Sequence, residues 1–166
     1  MLQKEDIPFI FSASRYQGFN DGLLWDAPED EAELINTYKD KVVMAWQERH
    51  SYSFAICNKS NNELLGSINI KRDIDNIWTI GFWLHPKQQG KGYMTESVKG
   101  ILELGFTILG ASRIDGYYAI WNTKSQRVLE RVGMQFLEYI PQGFIKKGQW
   151  VEQNRLGITK QQWSAL

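Results

Sequence analysis

Ile80-Gly81-Phe82-Trp83-Leu84-His85-Pro86-Lys87-Gln88-Gln89-Gly90-Lys91-Gly92-Tyr93-Met94-Thr95-Glu96 is the stretch on which the fold turns. Its opening is apolar and aromatic and reads as the end of a strand. Gln89 to Gly92 reads as a glycine turn, and a helix starts near Met94. Gly90 and Gly92 permit left-handed backbone angles and let an anion approach main-chain N–H groups. The first N–H groups of the helix have no partner within it and point into the same turn, where the helix dipole adds favourable potential. Lys91 adds a positive charge. A pyrophosphate fits such a turn. A glycine turn that merely connects two elements is the competing reading, because short glycine motifs recur by chance.

The flanking segments set the context. Ser53–Cys57, Glu63–Arg72 and Ile77–Leu84 are apolar, β-branched or aromatic runs, separated by the polar breaks 58–62 and 73–76, and they predict a three-strand antiparallel meander. Ahead of them, Glu5 to Tyr16 reads as a short helix and residues 17–27 as a loop. A second helix is expected from Pro28–Asp30 to about Arg49, with Ile35, Tyr38, Val42, Ala45 and Trp46 on its buried face. After the glycine turn come a helix over 94–109, a strand over 113–120, and a loop and helix over 121–132. Two strands follow, at 134–140 and 150–159, joined by a loop containing Gly143 and Gly148. A strand, a crossover helix and a further strand (77–84, 94–109, 113–120) imply a parallel pair inside a mixed sheet. The fold class is α/β, in the form of an α+β mixed sheet.

Composition bounds the function. The chain has 166 residues, which suits one domain, 1–166, with a single core. Lys plus Arg equal Asp plus Glu at 19 each, which argues against a nucleic-acid binder. The 7 Trp, 7 Tyr and 8 Phe need a core, a pocket or an interface to cover them. The one cysteine, Cys57, cannot form an internal disulfide; it points to a reducing, cytoplasmic setting and reads as core. No run approaches the ~20 apolar residues of a membrane span. His50, His85 and Cys57 lie too far apart in sequence for a metal set, so no metal is expected. The neutral total hides a partition: residues 1–40 carry −6, residues 41–112 carry +2 and residues 113–166 carry +4.

Two familiar glycine motifs do not match. A P-loop needs Gly-Lys-Ser/Thr four residues after a first glycine, and a dinucleotide fingerprint needs a third glycine where Thr95 stands. Instead, Gln89-Gly90-Lys91-Gly92-Tyr93-Met94 resembles the Gln/Arg-x-x-Gly-x-Gly/Ala signature of the GCN5-related N-acetyltransferase (GNAT) superfamily, with Met94 where the family carries Gly or Ala. Asn122-Thr123-Lys124-Ser125-Gln126-Arg127-Val128-Leu129-Glu130-Arg131-Val132-Gly133-Met134 resembles the Asn-x-x-Ser-x-x-Val-Leu-Glu-Lys-x-Gly-Phe stretch of the branch holding ribosomal-protein-alanine N-acetyltransferases. Trp25-Asp26-Ala27-Pro28 and Trp83-Leu84-His85-Pro86 are similar to the same branch.

The resemblance implies a GNAT-like fold: a central, mostly antiparallel mixed sheet with a splayed parallel strand pair and flanking helices. The family's first strand is expected ahead of Glu5, and Met1–Lys4 is too short for it, which leaves either a missing strand or a shortened start. The implied reaction is direct transfer of an acetyl group from acetyl-CoA, the cosubstrate, to a primary amine. That amine could sit on a protein N-terminus, a polyamine, an aminoglycoside or another small molecule. Leu84 and its neighbours would pair with the pantetheine arm. Gln89, Gly90, Lys91, Gly92, Tyr93 and Thr95 would hold the pyrophosphate, and Asn122 would bond the pantetheine. Many GNAT enzymes carry a tyrosine seven residues after this asparagine, where Leu129 stands here. Ser125 is the implied partner of the leaving thiolate, and Glu152 the candidate base, with water as the alternative relay. The glutamate of ribosomal-protein acetylators falls at Phe144.

Each residue has a plainer reading: Ser125 as a first-turn serine, Glu152 as a solvent-facing strand residue, His85 as a turn residue, and Trp25, Trp46 and Trp83 as core. The acidic segment expected to flank the acceptor, 17–33, suits a cationic amine or mere helix-start preference. A non-catalytic acyl-CoA-binding module and a nucleotide site at the glycine turn are the other two classes. The partners expected are acetyl-CoA and an amine, with no nucleic acid and no membrane, in a monomer or homodimer.

Overall fold

A computed structural model describes residues 3–37 and 42–166. Six strands form one sheet in the order β1-β2-β3-β4-β6-β5. The expected meander is present as β1 (Ser51–Cys57), β2 (Leu64–Arg72) and β3 (Ile77–Leu84), both pairs antiparallel. α4 (Tyr93–Thr107) carries the chain across to β4 (Arg113–Ala119), which runs parallel to β3. α5 (Thr123–Arg131) leads to β5 (Gln135–Lys146), and β6 (Gln149–Thr159) inserts between β4 and β5.

The core lies under α4. Met94, Val98, Ile101, Leu102 and Phe106 keep a three-to-four spacing, and all are buried with Ile70, Ile80 and Ile114 of the sheet. Leu129 of α5 is fully buried, and Gly116 makes room for it: a Cβ there would sit 2.7 Å from Leu129 Cδ2. α5 therefore presses directly on β4.

Several expectations need correction. The loop expected over 141–149 is mostly strand, because β5 continues to Lys146. Its register shifts between Ile140 and Phe144, so Pro141 and Gly143 are absorbed as an irregularity in an edge strand, where a missing N–H costs no ladder bond. The reversal is a tight Lys147-Gly148 turn, both residues at positive φ (49° and 77°). Cys57 is exposed rather than core: Ile56 is the inward residue, and strand alternation turns its neighbour Cys57 to the other face at the strand's end. A last helix, α6 (Lys160–Ser164), was not read from the sequence; Thr159 and Gln162 cap it reciprocally, and Trp163 packs on Phe106 at 5.2 Å.

At the start, a 3-10 turn (Lys4–Asp6) leads into α1 (Ile7–Ser14), and no strand precedes them among the described residues. The helix expected from Pro28 to Arg49 is seen as α2 (Glu31–Thr37) and α3 (Met44–Gln47); Tyr38 lies outside the described residues. No helix among the described residues is long and apolar enough to cross a membrane.

Candidate active site

The site begins where a strand pair stops pairing. β3 and β4 are in register from Ile77↔Arg113 to Ile80↔Gly116. Beyond that step, β3 stays paired with β2 as far as Leu84↔Gly66, and β4 stays with β6 as far as Ala119↔Gln153. The two strands thus part and leave a wedge. The His85 N–H donates to the Leu65 carbonyl at 2.9 Å, on the β2 side. Main-chain groups alternate sides along a strand, so those of Leu84 and Phe82 face the wedge.

The wedge opens into a cleft of about 930 Å³. Gly90 (φ 80°) and Gly92 (φ 86°) form its turn, and nothing lies within 4 Å of a Cβ placed at either. Gly92 is the N-cap of α4, and no side chain caps the helix there. The free N–H groups of the first turn are available to an anion. The Gln89 carboxamide bridges the two arms: it donates to the Leu84 carbonyl (3.3 Å) and accepts from Lys124 Nζ (3.0 Å). Thr95 lines the cleft, and Met94 joins it while buried in the core.

Asn122 and Ser125 line the opposite arm. Asn122 is the N-cap of α5, its Oδ1 accepting from the Ser125 N–H at 3.2 Å. Its Nδ2 faces the crossing chain at Gly22, where a Cβ would come within 3.1 Å of it. Leu129 is wholly core, so nothing polar stands at that helix position.

Not every residue singled out in the sequence faces the cleft. Lys91 turns away and donates to Gln88 Oε1 at 2.8 Å. Tyr93 packs against the core and, with Cys57 and Lys59, lines a separate hollow of about 310 Å³. Glu152 is exposed, lies outside the cleft lining, and accepts from the Tyr139 hydroxyl at 2.7 Å. That bond is the main reason the Tyr139 phenol is pushed above its ordinary range. His85 is buried beneath Phe9 and Tyr16, ring centroids 5.0 and 5.1 Å away, and its Nδ1 accepts from the Lys87 N–H. Burial, and secondly the Lys87 charge, holds its imidazole below the ordinary range.

Two parts of the site escaped the sequence reading. The first is a cationic rim: Lys124, Arg127 and Arg131 all line the cleft from α5. Their spacing of three and four residues puts them on one helix face, a signal present in the sequence. The second is a strap, residues 16–26, thrown across the wedge. Phe19 meets Trp83 edge-on at 5.6 Å, and Gly22 lies against Trp121 and Asn122. Lys146 anchors the strap's far end, its ammonium bound to the carbonyls of Leu23 (3.0 Å) and Trp25 (2.7 Å) and to Asp26 Oδ1 (2.9 Å). Trp83 lines the cleft, whereas Trp46 packs on Tyr52 and Phe54. Of the acids in segment 17–33, Asp26 pairs with Lys146 and Asp21 with Lys147 at 3.7 Å, and none of the segment's carboxylates lines the cleft.

Known proteins match this architecture. A family model described as an acetyltransferase (GNAT) domain matches residues 2–135. Among Bacillus subtilis (strain 168) proteins, one named uncharacterized N-acetyltransferase YnaD is 28% identical over 90 residues, 54% of this chain and 53% of YnaD. The chain therefore spans about half the length of that relative. The relative named probable N-acetyltransferase YjcK is 28% identical over 134 residues, 78% of this chain and 71% of its own. Among solved structures, a Vibrio cholerae spermidine N-acetyltransferase in complex with CoA and spermine superposes with a TM-score of 0.84 at 19% identity, covering 98% of this chain and 95% of that one. A sheet split between its parallel strands, a glycine turn at the split and a family model spanning most of the chain agree: this protein is a member of the GNAT acetyltransferase family.

Proposed function

We propose that this protein is an acetyl-CoA-dependent N-acetyltransferase that moves an acetyl group directly to a primary amine. The observation that carries the reading is the cleft at the β3/β4 split, with a bare helix N-terminus on one arm and a cationic rim on the other. These residues fit a long polyphosphate-and-amide ligand. The Phe82 main chain and the Leu84 N–H suit the amides of a pantetheine arm, as an added strand would, with the Leu84 carbonyl held by Gln89. The Gly90–Gly92 turn, Gln89 and Thr95 suit the pyrophosphate, and Lys124, Arg127 and Arg131 supply countercharge. Lys91 and Tyr93 contribute through their main chain in this reading.

A bound acetyl thioester supplies an activated carbonyl carbon. The Leu84 N–H polarises that carbonyl, in the manner of an oxyanion hole. The acceptor amine attacks as the free base, and its proton passes to water, because no carboxylate lines the cleft among the described residues. Glu152 is bound to Tyr139 outside the cleft and is the secondary candidate for that proton. Ser125, in the first turn of α5, gives a hydrogen bond to the departing thiolate. Cys57 is exposed on the far side of the sheet edge, so no acyl-enzyme is invoked. The lone thiol supports a cytoplasmic setting, and the continuous six-strand sheet supports one domain.

The test is thiol release from acetyl-CoA across a panel of amines, alongside calorimetry with acetyl-CoA. Binding with release establishes transfer. Binding without release for any amine would favour an acyl-CoA-binding module instead.

A further inference from the structure

We infer that the acceptor is a singly charged primary amine carried on an apolar or aromatic group, and not a polycation. The inference rests on the acetyl-transfer reading above and narrows it. The strap and its two footings wall the cleft with Tyr16, Phe19, Leu23, Trp83 and Trp121. Rings of this size favour an apolar substituent through the area they take out of water. No Asp or Glu lines the cleft among the described residues.

The carboxylates of segment 21–33 stand outside the cleft lining, and several of them are engaged. Asp26 and Asp21 pair with Lys146 and Lys147. Asp30 accepts from the Glu33 N–H and Glu33 from the Glu29 N–H, so both serve the start of α2. The charged side chains that do line the cleft, Lys124, Arg127 and Arg131, are the cations assigned above to the phosphates, so none offers an acceptor ammonium a counter-ion. A second ammonium brought into this site would be desolvated without a counter-ion, which is costly. A single ammonium escapes that penalty, because it must lose its proton to react. An α-amino group, with an ordinary pKa near 7.7–8.0, does so readily near neutral pH. Cation–π contacts can favour one charge over a ring face, but they do not replace carboxylates for several. The likeness to the spermidine acetyltransferase, at 19% identity, extends to the fold alone.

The experiment compares kcat/KM by thiol release for 2-phenylethylamine, a short peptide beginning with phenylalanine, and spermidine. The first two separate a free amine from a peptide end. At least one of them is expected to exceed spermidine by about tenfold or more, a difference of one missing charge partner. Gln17→Glu places a carboxylate in the lining, and it should raise the spermidine value about fivefold, as one partly screened ion pair would. Spermidine equal to or better than both aromatic amines overturns the inference and leaves acetyl transfer standing. An unchanged spermidine value in Gln17→Glu also overturns it, since charge is then not what selects. Acetyl-CoA binding without thiol release from any acceptor overturns the transfer reading, and the inference with it.

Discussion

The Lys146 ammonium donates to the Trp25 carbonyl oxygen at 2.7 Å, joining β5 to a strap 121 positions earlier in the chain. With Leu23 and Asp26 it has three acceptors, which accounts for all three of its protons. The Lys146 side chain is only 8% exposed, so its bonds to the two carbonyls are shielded, whereas the Asp26 carboxylate is 81% exposed and its share is screened by solvent. Arg15, just before the strap, donates to the Pro28 carbonyl just beyond it and so ties its two ends together. The strap's share of the cleft wall is therefore held by a cation that bonds its main chain and not its rings.

Lys146→Met removes that anchor while keeping the stem. Charge-assisted bonds in shielded sites are worth about 1.5–3 kcal/mol, and a loss in that range is expected in urea unfolding. The KM for the amine should rise, with acetyl-CoA affinity little changed. A parallel loss of both would mean that Lys146 supports the whole fold rather than the strap.

Gly92→Ala tests the turn. At φ 86° a side chain is strained by about 1–2 kcal/mol, yet a Cβ meets nothing within 4 Å in the free protein. The variant should fold, with modestly lower stability. Its acetyl-CoA affinity should fall by about tenfold or more, since the added methyl stands where the anion approaches. Calorimetry reads the affinity and thermal unfolding the strain.

Arg127→Gln and Arg131→Gln each remove one rim charge. Acetyl-CoA affinity should fall by roughly tenfold in each and become less dependent on salt. Fluorescence titration at two ionic strengths separates this from a general loss of packing, which would leave the salt dependence unchanged.

Ser125→Ala should lower turnover by about a hundredfold while acetyl-CoA binding stays near the original value. The Asn122 cap is untouched, because it engages the Ser125 main-chain N–H rather than the hydroxyl. Full turnover in this variant would remove Ser125 from the chemistry.

His85 predicts a pH dependence of stability. Its folded pKa lies below the unfolded value near 6.5, so the unfolded chain takes up the proton more readily. This contribution is complete above about pH 6.5 and is lost as pH falls towards the folded pKa. His85→Asn keeps an N-cap acceptor for the Lys87 N–H and removes the titration. Urea midpoints of the variant between pH 7 and pH 5 should fall less steeply than those of the original protein.

The elements that sequence made legible are those with unbroken patterns. The 51–84 meander keeps its period, and the Gly90–Gly92 turn sits between a strand and a long amphipathic helix. Asn122 and Ser125 stand where a cap belongs. The β5 extension was hidden because Pro141 and Gly143 carry loop chemistry, and an edge strand absorbs them through a shift of register. Glu152 was placed by position along β6, but Tyr139 across the strand pair holds its carboxylate outside the cleft. The strap has no periodic pattern at all. Its course is set by contacts 64 to 123 positions away, which no local reading can supply.

The split at Ile80↔Gly116 makes the sheet resemble a book bound along half its spine. On one leaf lie β1, β2 and β3; on the other, β4, β6 and β5. Four paired positions stitch the leaves, and at the unstitched end two polar margins face each other with no ladder between them. A guest that lends its own amides to both margins would complete the binding. Heat resistance would then climb with guest concentration, and the leaves would part most freely in its absence.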